Sequence, residues 1–154
     1  MHASTDSTVD SAVDSAVNSA IDSAIDELDD EQSWHLLCSA DLGRLAVSID
    51  TGVDIFPLNY VVTDRVIFFR TAPGSKLMDL TKYPVVALEA DGVLHRQRWS
   101  VVVKGTAERL GSDDEIEASG VLTLHSFIPT EKWNYVRIVV ASITGRRFTT
   151  SRTP

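Results

Sequence analysis

The stretch VIFFRTAPGSKLMDLTKYPVVALEADG (residues 66–92) decides the fold that the sequence predicts. Residues 65–71 are rich in β-branched and aromatic side chains, which is typical of a strand. Residues 74–84 predict one short helix, and Pro84 ends it because a proline disfavours helical geometry in the preceding residue. Residues 84–91 predict the next strand, so the helix is only a short insertion between two strands.

Strand patterns continue outward on both sides of this block. They cover residues 43–50, 54–64, 98–110 and 133–148, and residues 50–52 predict a hairpin turn. Pro57 interrupts the second of these strands and indicates a sheet edge, a bulge or an end of pairing. Six strands with short helices predict a mainly β fold, a closed or partly closed antiparallel barrel, because closure protects sheet edges.

Two helices are predicted outside the central block. Asp29 or Asp30 can cap a helix that runs to about residue 40, with Trp34 and Leu37 one turn apart on the same side. A second short helix is predicted after Ser112, since residues 112–115 form a capping-box pattern.

The acidic charge is confined to the N-terminal segment. The chain has 22 acidic and 14 basic residues, a net charge of −8, and nine of the acids lie within residues 1–31 with no Lys or Arg. The other 123 residues carry 13 acids and 14 bases. A nearly neutral body argues against bulk nucleic-acid binding and against binding to anionic membranes.

Residues 5–26 form a degenerate four-residue repeat of valine or isoleucine with serine and aspartate. A four-residue step drifts around an α-helix, so its apolar stripe winds. The segment predicts a disordered or frayed acidic tail, and the alternative is a helix ordered by a partner. We therefore predict a tail at 1–27, a domain at 28–148 and a C-terminal tail at 149–154.

Several classes of protein are excluded by composition. Cys38 is the single cysteine, so there is no intramolecular disulfide and no cysteine-based zinc or iron–sulfur cluster. The four histidines lack metal-ligand spacing, and no apolar run of about 20 residues could span a bilayer. A cytoplasmic, reducing setting without a metal is the expectation.

An anion site is predicted where the strand at 65–71 meets the following helix. Arg70 and Lys76 supply charge, Thr71 and Ser75 supply hydroxyl groups, and a helix N-terminus presents N–H groups that bind phosphate. The two-glycine frame of a Walker loop is missing. The alternative from the residues alone is an ordinary helix start with solvated basic side chains.

The other candidate positions are weaker on residue type alone. Pro57 removes one backbone donor and Asn59 offers an amide, which could serve a ligand or only the strand edge. Trp99 and Trp133 each begin a strand, where packing is the simpler role. No residue stands out as a general base, so the sequence predicts that any chemistry comes from a cofactor.

The order of motifs resembles the pyridoxamine 5'-phosphate oxidase-like family, which has the FMN-binding split-barrel fold. The resemblance covers about residues 28–148 and is strongest to small actinobacterial flavin-nucleotide-binding members, then to nitroimidazole-reductase-like members. It implies a homodimer with FMN at the interface. The positions that match the family's cofactor contacts are Ile55, Phe56, Pro57, Leu58, Asn59, Phe69, Arg70, Thr71, Ser75, Lys76, Trp99 and Ser100, with Trp133 and Arg137 as candidates from the partner.

The chain also departs from true pyridoxamine phosphate oxidases. The family's substrate-phosphate cluster and its late Arg-x-His are missing, and residues 145–148 read Gly-Arg-Arg-Phe. The resemblance therefore implies electron transfer from NAD(P)H through FMN to a small acceptor, not vitamin B6 oxidation. The alternatives are a deazaflavin-dependent reductase on the same fold, or a flavin or haem carrier without turnover.

Overall fold

The computed structural model describes residues 10–17, 25–124 and 133–149, with the side chains of residues 75–78 outside the description. The strands are β1 (Ile25–Leu28), β2 (Leu42–Ile49), β3 (Gly52–Asn59), β4 (Val61–Thr63), β5 (Val66–Thr71), β6 (Val85–Leu94), β7 (Gln97–Arg109) and β8 (Asn134–Thr149). The helices are α1 (residues 10–17), α2 (Asp30–Ser39), α3 (Ser75–Lys82) and α4 (Asp113–Ser119), with a 3₁₀ turn at Val121–Thr123. The mainly β prediction is confirmed.

All eight strands belong to one antiparallel sheet that curls into an incomplete barrel. Its order is β3-β2-β6-β7-β8-β5-β4, and β1 pairs with the C-terminal part of β8. Alternate residues of each strand face the core, as the period of two requires. Ile67 and Phe69 of β5, and Val101 and Val103 of β7, are fully buried there.

Helix α2 forms where the sequence predicts a capped helix, and it contacts β8 and β7. Asp29 accepts the Gln32 N–H at 2.8 Å, and the Gln32 side chain accepts the Asp29 N–H at 3.1 Å, which completes a capping box. Trp34 and Leu37 are buried on the same helix. Local signals were sufficient here because the cap and the apolar spacing lie within one short segment.

The second predicted capping box forms only in part. Ser112 caps α4 by accepting the Glu115 N–H at 3.2 Å. The Glu115 carboxylate reaches back to the N–H of Gly111, at 3.1 Å, and not to that of Ser112. The helix start is therefore correct, with the return bond displaced by one residue.

The prediction of one strand at residues 54–64 is wrong in one respect, because this segment forms two strands, β3 and β4. Tyr60 separates them and is 2% exposed. Its N–H donates to the Asp41 carbonyl at 3.0 Å, and its hydroxyl donates to the Leu37 carbonyl at 2.6 Å. These bonds turn the chain at Tyr60, so β3 pairs with β2 while β4 pairs with β5.

Strand pairing also begins before residue 28, where the sequence placed the start of the domain. Residues 25–27, expected in the tail, lie in β1, with Asp26 opposite Arg147 and Glu27 opposite Arg146. Acidic residues opposite arginines are favourable cross-strand pairs. The split into β3 and β4, together with the additional strand β1, raises the number of strands from the six predicted to the eight described.

No helix within the described residues is long and apolar enough to cross a membrane.

Candidate anion and cofactor site

Some Cα atoms of the edge strand β3 lie within 8 Å of Cα atoms of β5. Within the described residues β3 pairs only with β2. The register places Ile55 opposite Ala46 and Pro57 opposite Arg44, on the outer face of the sheet. Ile55 is 64% exposed and faces outward with Pro57, whereas Phe56 and Leu58 of the same strand pack against the core.

Arg70 lies near the end of β5, where two other segments hold its guanidinium group. One Nη atom donates to the Leu124 carbonyl, and the Trp133 ring centroid lies 4.5 Å from Arg70 Cζ. A cation over an indole face is stabilised by the ring quadrupole. A guanidinium has five N–H donors, so these contacts orient the group and leave it the capacity to bind an anion.

Thr71 follows Arg70 and faces the opposite side of β5. Its Oγ1 is buried and has no hydrogen-bond partner among the described residues. A buried hydroxyl without a partner costs stability, so such groups in native proteins usually serve a ligand or an ordered water. The sequence selected Thr71 as a hydroxyl donor, and its unpaired oxygen fits that role.

Helix α3 begins directly after this strand end. Gly74 precedes the helix with φ +155°, a conformation that favours glycine, and a Cβ there would meet nothing within 4 Å. The N-cap residue Gly74 has no side chain, so it makes no capping hydrogen bond to the first N–H groups of α3. Ser75 and Lys76 occupy the first turn as predicted, while their side chains lie outside the described structure.

A cleft of about 360 Å³ lies beside Arg70. Residues 59–62 form one wall and Cys38, Ala40 and Asp41 form another, while Leu124 links the cleft to the carbonyl that Arg70 binds. Partial burial raises the pKa of the Cys38 thiol, so the thiol stays protonated near neutral pH. Cys38 is an exposed residue that lines the cleft wall, so the interpretation of this cysteine from the sequence as buried packing is wrong.

The remaining sequence candidates do not join this cluster within one chain. Trp99 and Ser100 pair with Arg147 and Arg146 at the far end of the 16-residue strand β8, whereas Arg70 pairs with Tyr135 near its start. Trp99 is 4% exposed and packs in the core, which is its simpler predicted role. Within one chain, Arg70 therefore lies beside the start of β8, whereas Trp99 and Ser100 lie beside its other end.

Two further candidates are occupied by structural contacts. Phe69 has no exposed surface, so its side chain supports the strand from behind and only its backbone could meet a ligand. Arg137 shares the outer face with Arg70, but its Nε donates to Glu108 at 2.8 Å and its Nη1 lies 3.7 Å from Glu115. A ligand would have to compete with both carboxylates for Arg137.

Two groups that shape the site were not predicted from the sequence. The Leu124 carbonyl anchors Arg70 through a backbone atom, which no residue type could indicate. Tyr60 turns the chain beside the cleft, and burial raises its pKa, so its hydroxyl remains a hydrogen-bond donor and not a base. Among the described residues, no three His, Cys, Asp or Glu side chains are grouped to hold a metal ion.

A curled antiparallel sheet with this strand order and an open edge defines a split-barrel protein. The chain belongs to the pyridoxamine 5'-phosphate oxidase family, whose model, described as "Pyridoxamine 5'-phosphate oxidase", matches residues 29–147. The resemblance stated from the motifs is thereby confirmed, and so is the fold.

Related proteins of known structure share most of the chain. A Corynebacterium glutamicum protein named provisionally as a pyridoxamine 5'-phosphate oxidase is 42% identical, covers 82% of this chain and 99% of its own, and has a TM-score of 0.73. The FAD binding protein of Mycobacterium smegmatis is 35% identical, with 82% and 100% coverage and a TM-score of 0.69. A further relative, compared by sequence, is an uncharacterized Mycobacterium tuberculosis protein that is 35% identical over an alignment of 134 residues, with coverage of 82% of this chain and 88% of that protein.

Proposed function

We propose that the protein binds FMN and transfers electrons from NAD(P)H to a small acceptor. The observation that carries the proposal is the end of β5, where Arg70 and the unpaired Thr71 hydroxyl are followed, after three intervening residues, by the start of α3 at Ser75. The FAD-binding relative from Mycobacterium smegmatis supports a flavin as the ligand.

The residues at this strand end fit a flavin phosphate. A phosphate needs several donors and positive charge, which Arg70 supplies as a guanidinium and α3 supplies as N–H groups at the positive end of its dipole. Gly74 leaves the approach to those N–H groups open. Thr71 would donate the hydroxyl that has no described acceptor.

The edge of β3 fits the flat ring of the same cofactor. Residues 55–59 lie on an outer edge strand, and Pro57 lacks a backbone donor, so this edge offers a mixture of carbonyl groups and apolar surface. The Ile55 N–H is held locally by the Asp54 carboxylate at 2.9 Å. We therefore assign the ring to this edge and the phosphate to the end of β5.

When bound, a flavin supplies hydride acceptance and electron transfer. The chain's own part is to anchor the phosphate through Arg70, fix the ring against β3 and limit water beside it. The pKa values of Cys38 and Tyr60 in the cleft are both raised, so neither group loses its proton near neutral pH. We accordingly assign no general acid or base to the chain.

A homodimer would reconcile the family-matched positions with the geometry. Ser100 lies at the far end of β8 from Arg70 and on the outer face, so only a second copy could bring it to the same cofactor. Val53 and Val85 are 69% and 70% exposed, and Val139 on the same outer face is 45% exposed. Exposed apolar groups on one face are typical of an interface between chains.

Flavin titration of the full-length protein tests this proposal. Quenching of flavin fluorescence would give the Kd for FMN and for riboflavin, which lacks the phosphate, and light scattering would give the mass of the complex. We expect the protein to bind FMN as a homodimer. FMN should bind at least about tenfold more tightly than riboflavin, since charge-assisted hydrogen bonds contribute about 1.5–3 kcal/mol. Anaerobic NADPH should then bleach the bound flavin.

The same titration distinguishes the alternatives. Binding of FMN without reduction by NADPH or NADH would favour a carrier, and tighter binding of a deazaflavin would favour a deazaflavin reductase. Haem is a further ligand for this titration, because the structure of a haem-binding protein from Mycobacterium smegmatis shares the fold at a TM-score of 0.61 and 15% identity. Equal affinity for FMN and riboflavin would overturn the phosphate assignment to Arg70 and Thr71.

A further inference from the structure

A second cleft, of about 400 Å³, lies at the opposite end of β8 from Arg70. The end of β1, the first turns of α2, the β6–β7 turn and β8 surround it. Its apolar side chains are Leu28, Leu36, Leu94 and Trp99, and its polar side chains are Glu31, Gln32, His35, His95, Gln97 and Arg147. We name this the β8 cleft.

The floor of the β8 cleft suits a flat apolar body. Trp99 is 4% exposed and Leu36 is 7% exposed, so both are packed side chains whose small exposed surface lines the cleft. Gly92 makes this packing possible, because a Cβ there would lie 2.8 Å from the indole of Trp99. Small-molecule sites combine such an apolar wall with a few fixed polar groups.

Arg147 supplies the polar anchor of the β8 cleft. Its Nε is buried and has no hydrogen-bond partner among the described residues. Its nearest carboxylate is that of Asp26, where the Nη2–Oδ2 distance of 3.8 Å is at the limit of an ion pair and the Asp26 side chain is 64% exposed. An anion with two acceptor oxygens would satisfy the guanidinium better than Asp26 does.

The acidic residue on the rim does not oppose this assignment. Glu31 is bound elsewhere, since one of its carboxylate oxygens lies 2.6 Å from Nη2 of Arg65. The other polar rim groups, His35, His95 and Gln97, can each donate a hydrogen bond. The rim therefore offers several donors around one guanidinium, above an apolar floor.

We propose that the β8 cleft binds a small organic anion, a carboxylate on a flat aromatic or aliphatic body, with Arg147 holding the carboxylate and Trp99 supporting the body. The site is separate from the flavin site within one chain and does not rest on the proposed flavin function. Arg147 and Trp99 face the inner side of the sheet, whereas the flavin site uses the outer edge of β3.

The test compares 1-naphthylacetate with the neutral 1-naphthaleneacetamide on the full-length protein, by calorimetry and by amide and indole N–H shifts in NMR. We expect the carboxylate to bind about tenfold or more tightly than the amide, as a charge-assisted pair would give. The indole N–H signal of Trp99, identified by its loss in Trp99→Phe, should shift on titration. FMN should leave the affinity unchanged.

Three variants make the result specific. Arg147→Gln should make the two probes bind equally, and Asp26→Asn should tighten binding of 1-naphthylacetate a few-fold because it removes the competing carboxylate. Arg146→Gln is the matched control, since Arg146 is the neighbouring residue on the opposite face of β8. Equal binding of both probes to the native protein, no shift at Trp99, weaker binding to Asp26→Asn, or displacement by FMN would each overturn the proposal.

Discussion

Replacing Thr71 by valine should have opposite effects on stability and on cofactor affinity. The Thr71 hydroxyl is buried without a described partner, and such a group costs about 1–3 kcal/mol. Valine has the same shape and suits a strand, so Thr71→Val should stabilise the flavin-free protein by about 1 kcal/mol. It should weaken FMN binding roughly tenfold to a hundredfold, because a hydrogen bond to a charged phosphate contributes about 1.5–3 kcal/mol.

Urea unfolding of the flavin-free protein measures the first effect, and flavin fluorescence measures the second. Riboflavin affinity should not change, because riboflavin has no phosphate. Thr63→Val is the matched control: the Thr63 hydroxyl donates to the Ser119 carbonyl at 2.7 Å, so its loss should destabilise by about 1 kcal/mol and leave FMN affinity unchanged. Destabilisation by Thr71→Val, or equal losses for FMN and riboflavin, would refute the assignment of this hydroxyl to the phosphate.

Two other positions give predictions that concern stability alone. Gly105→Ala should lower the free energy of unfolding by roughly 2 kcal/mol or more, because a Cβ would collide with the Val139 carbonyl at the register shift between β7 and β8. Denaturant titration measures this change, and an unchanged unfolding midpoint would contradict it. Hydrogen bonds from Lys82 and then Tyr83 lower the pKa of Asp50, so its contribution to stability should be complete above about pH 4 and lost as pH falls through the lowered folded-state value. The melting temperatures of native protein and Asp50→Asn should therefore differ at pH 7 and converge in acid, while a difference that persists at pH 2 would exclude this cause.

The sequence predicted those features that depend on neighbours within a few residues. The cap of α2 by Asp29, the inward alternation of Leu45 and Val47, and the start of α3 after Gly74 are all local. Features that depend on distant partners could not be predicted in the same way. The bend at Tyr60 depends on the carbonyl groups of Asp41 and Leu37, which the fold alone brings close.

The candidate site shows the same division between local and distant information. Arg70 and Trp133 were both selected from the sequence, Arg70 by its place before a helix and Trp133 by the family resemblance. Their contact at 4.5 Å follows from the pairing of Thr71 with Asn134, which joins two segments far apart in sequence. The sequence therefore identified the residues, whereas only the strand register shows which of them act together.

Strand β8 carries the clearest example, because its register shift decides which arginine can bind in the β8 cleft. Before the shift at Lys104/Gly105 of β7, the even-numbered residues Val136 and Ile138 face the core. After it, the buried residues are odd-numbered, with Ile143 and Gly145 facing inward. A bulge adds one residue to a strand and so exchanges its two faces. Uninterrupted alternation would turn Arg146 toward the cleft, and the bulge turns Arg147 there instead.

The same strand explains why the two sites should act independently. β8 is held by β5 near its start and by β1 near its end, with β7 along the other edge. A ligand that orders Arg70 would have to displace this paired backbone before it changed the position of Arg147. Close-packed sheet interiors resist such shifts, so affinity at one end of β8 should not depend on occupancy of the other. Dependence between the affinities for FMN and 1-naphthylacetate would therefore contradict the separation of the two sites.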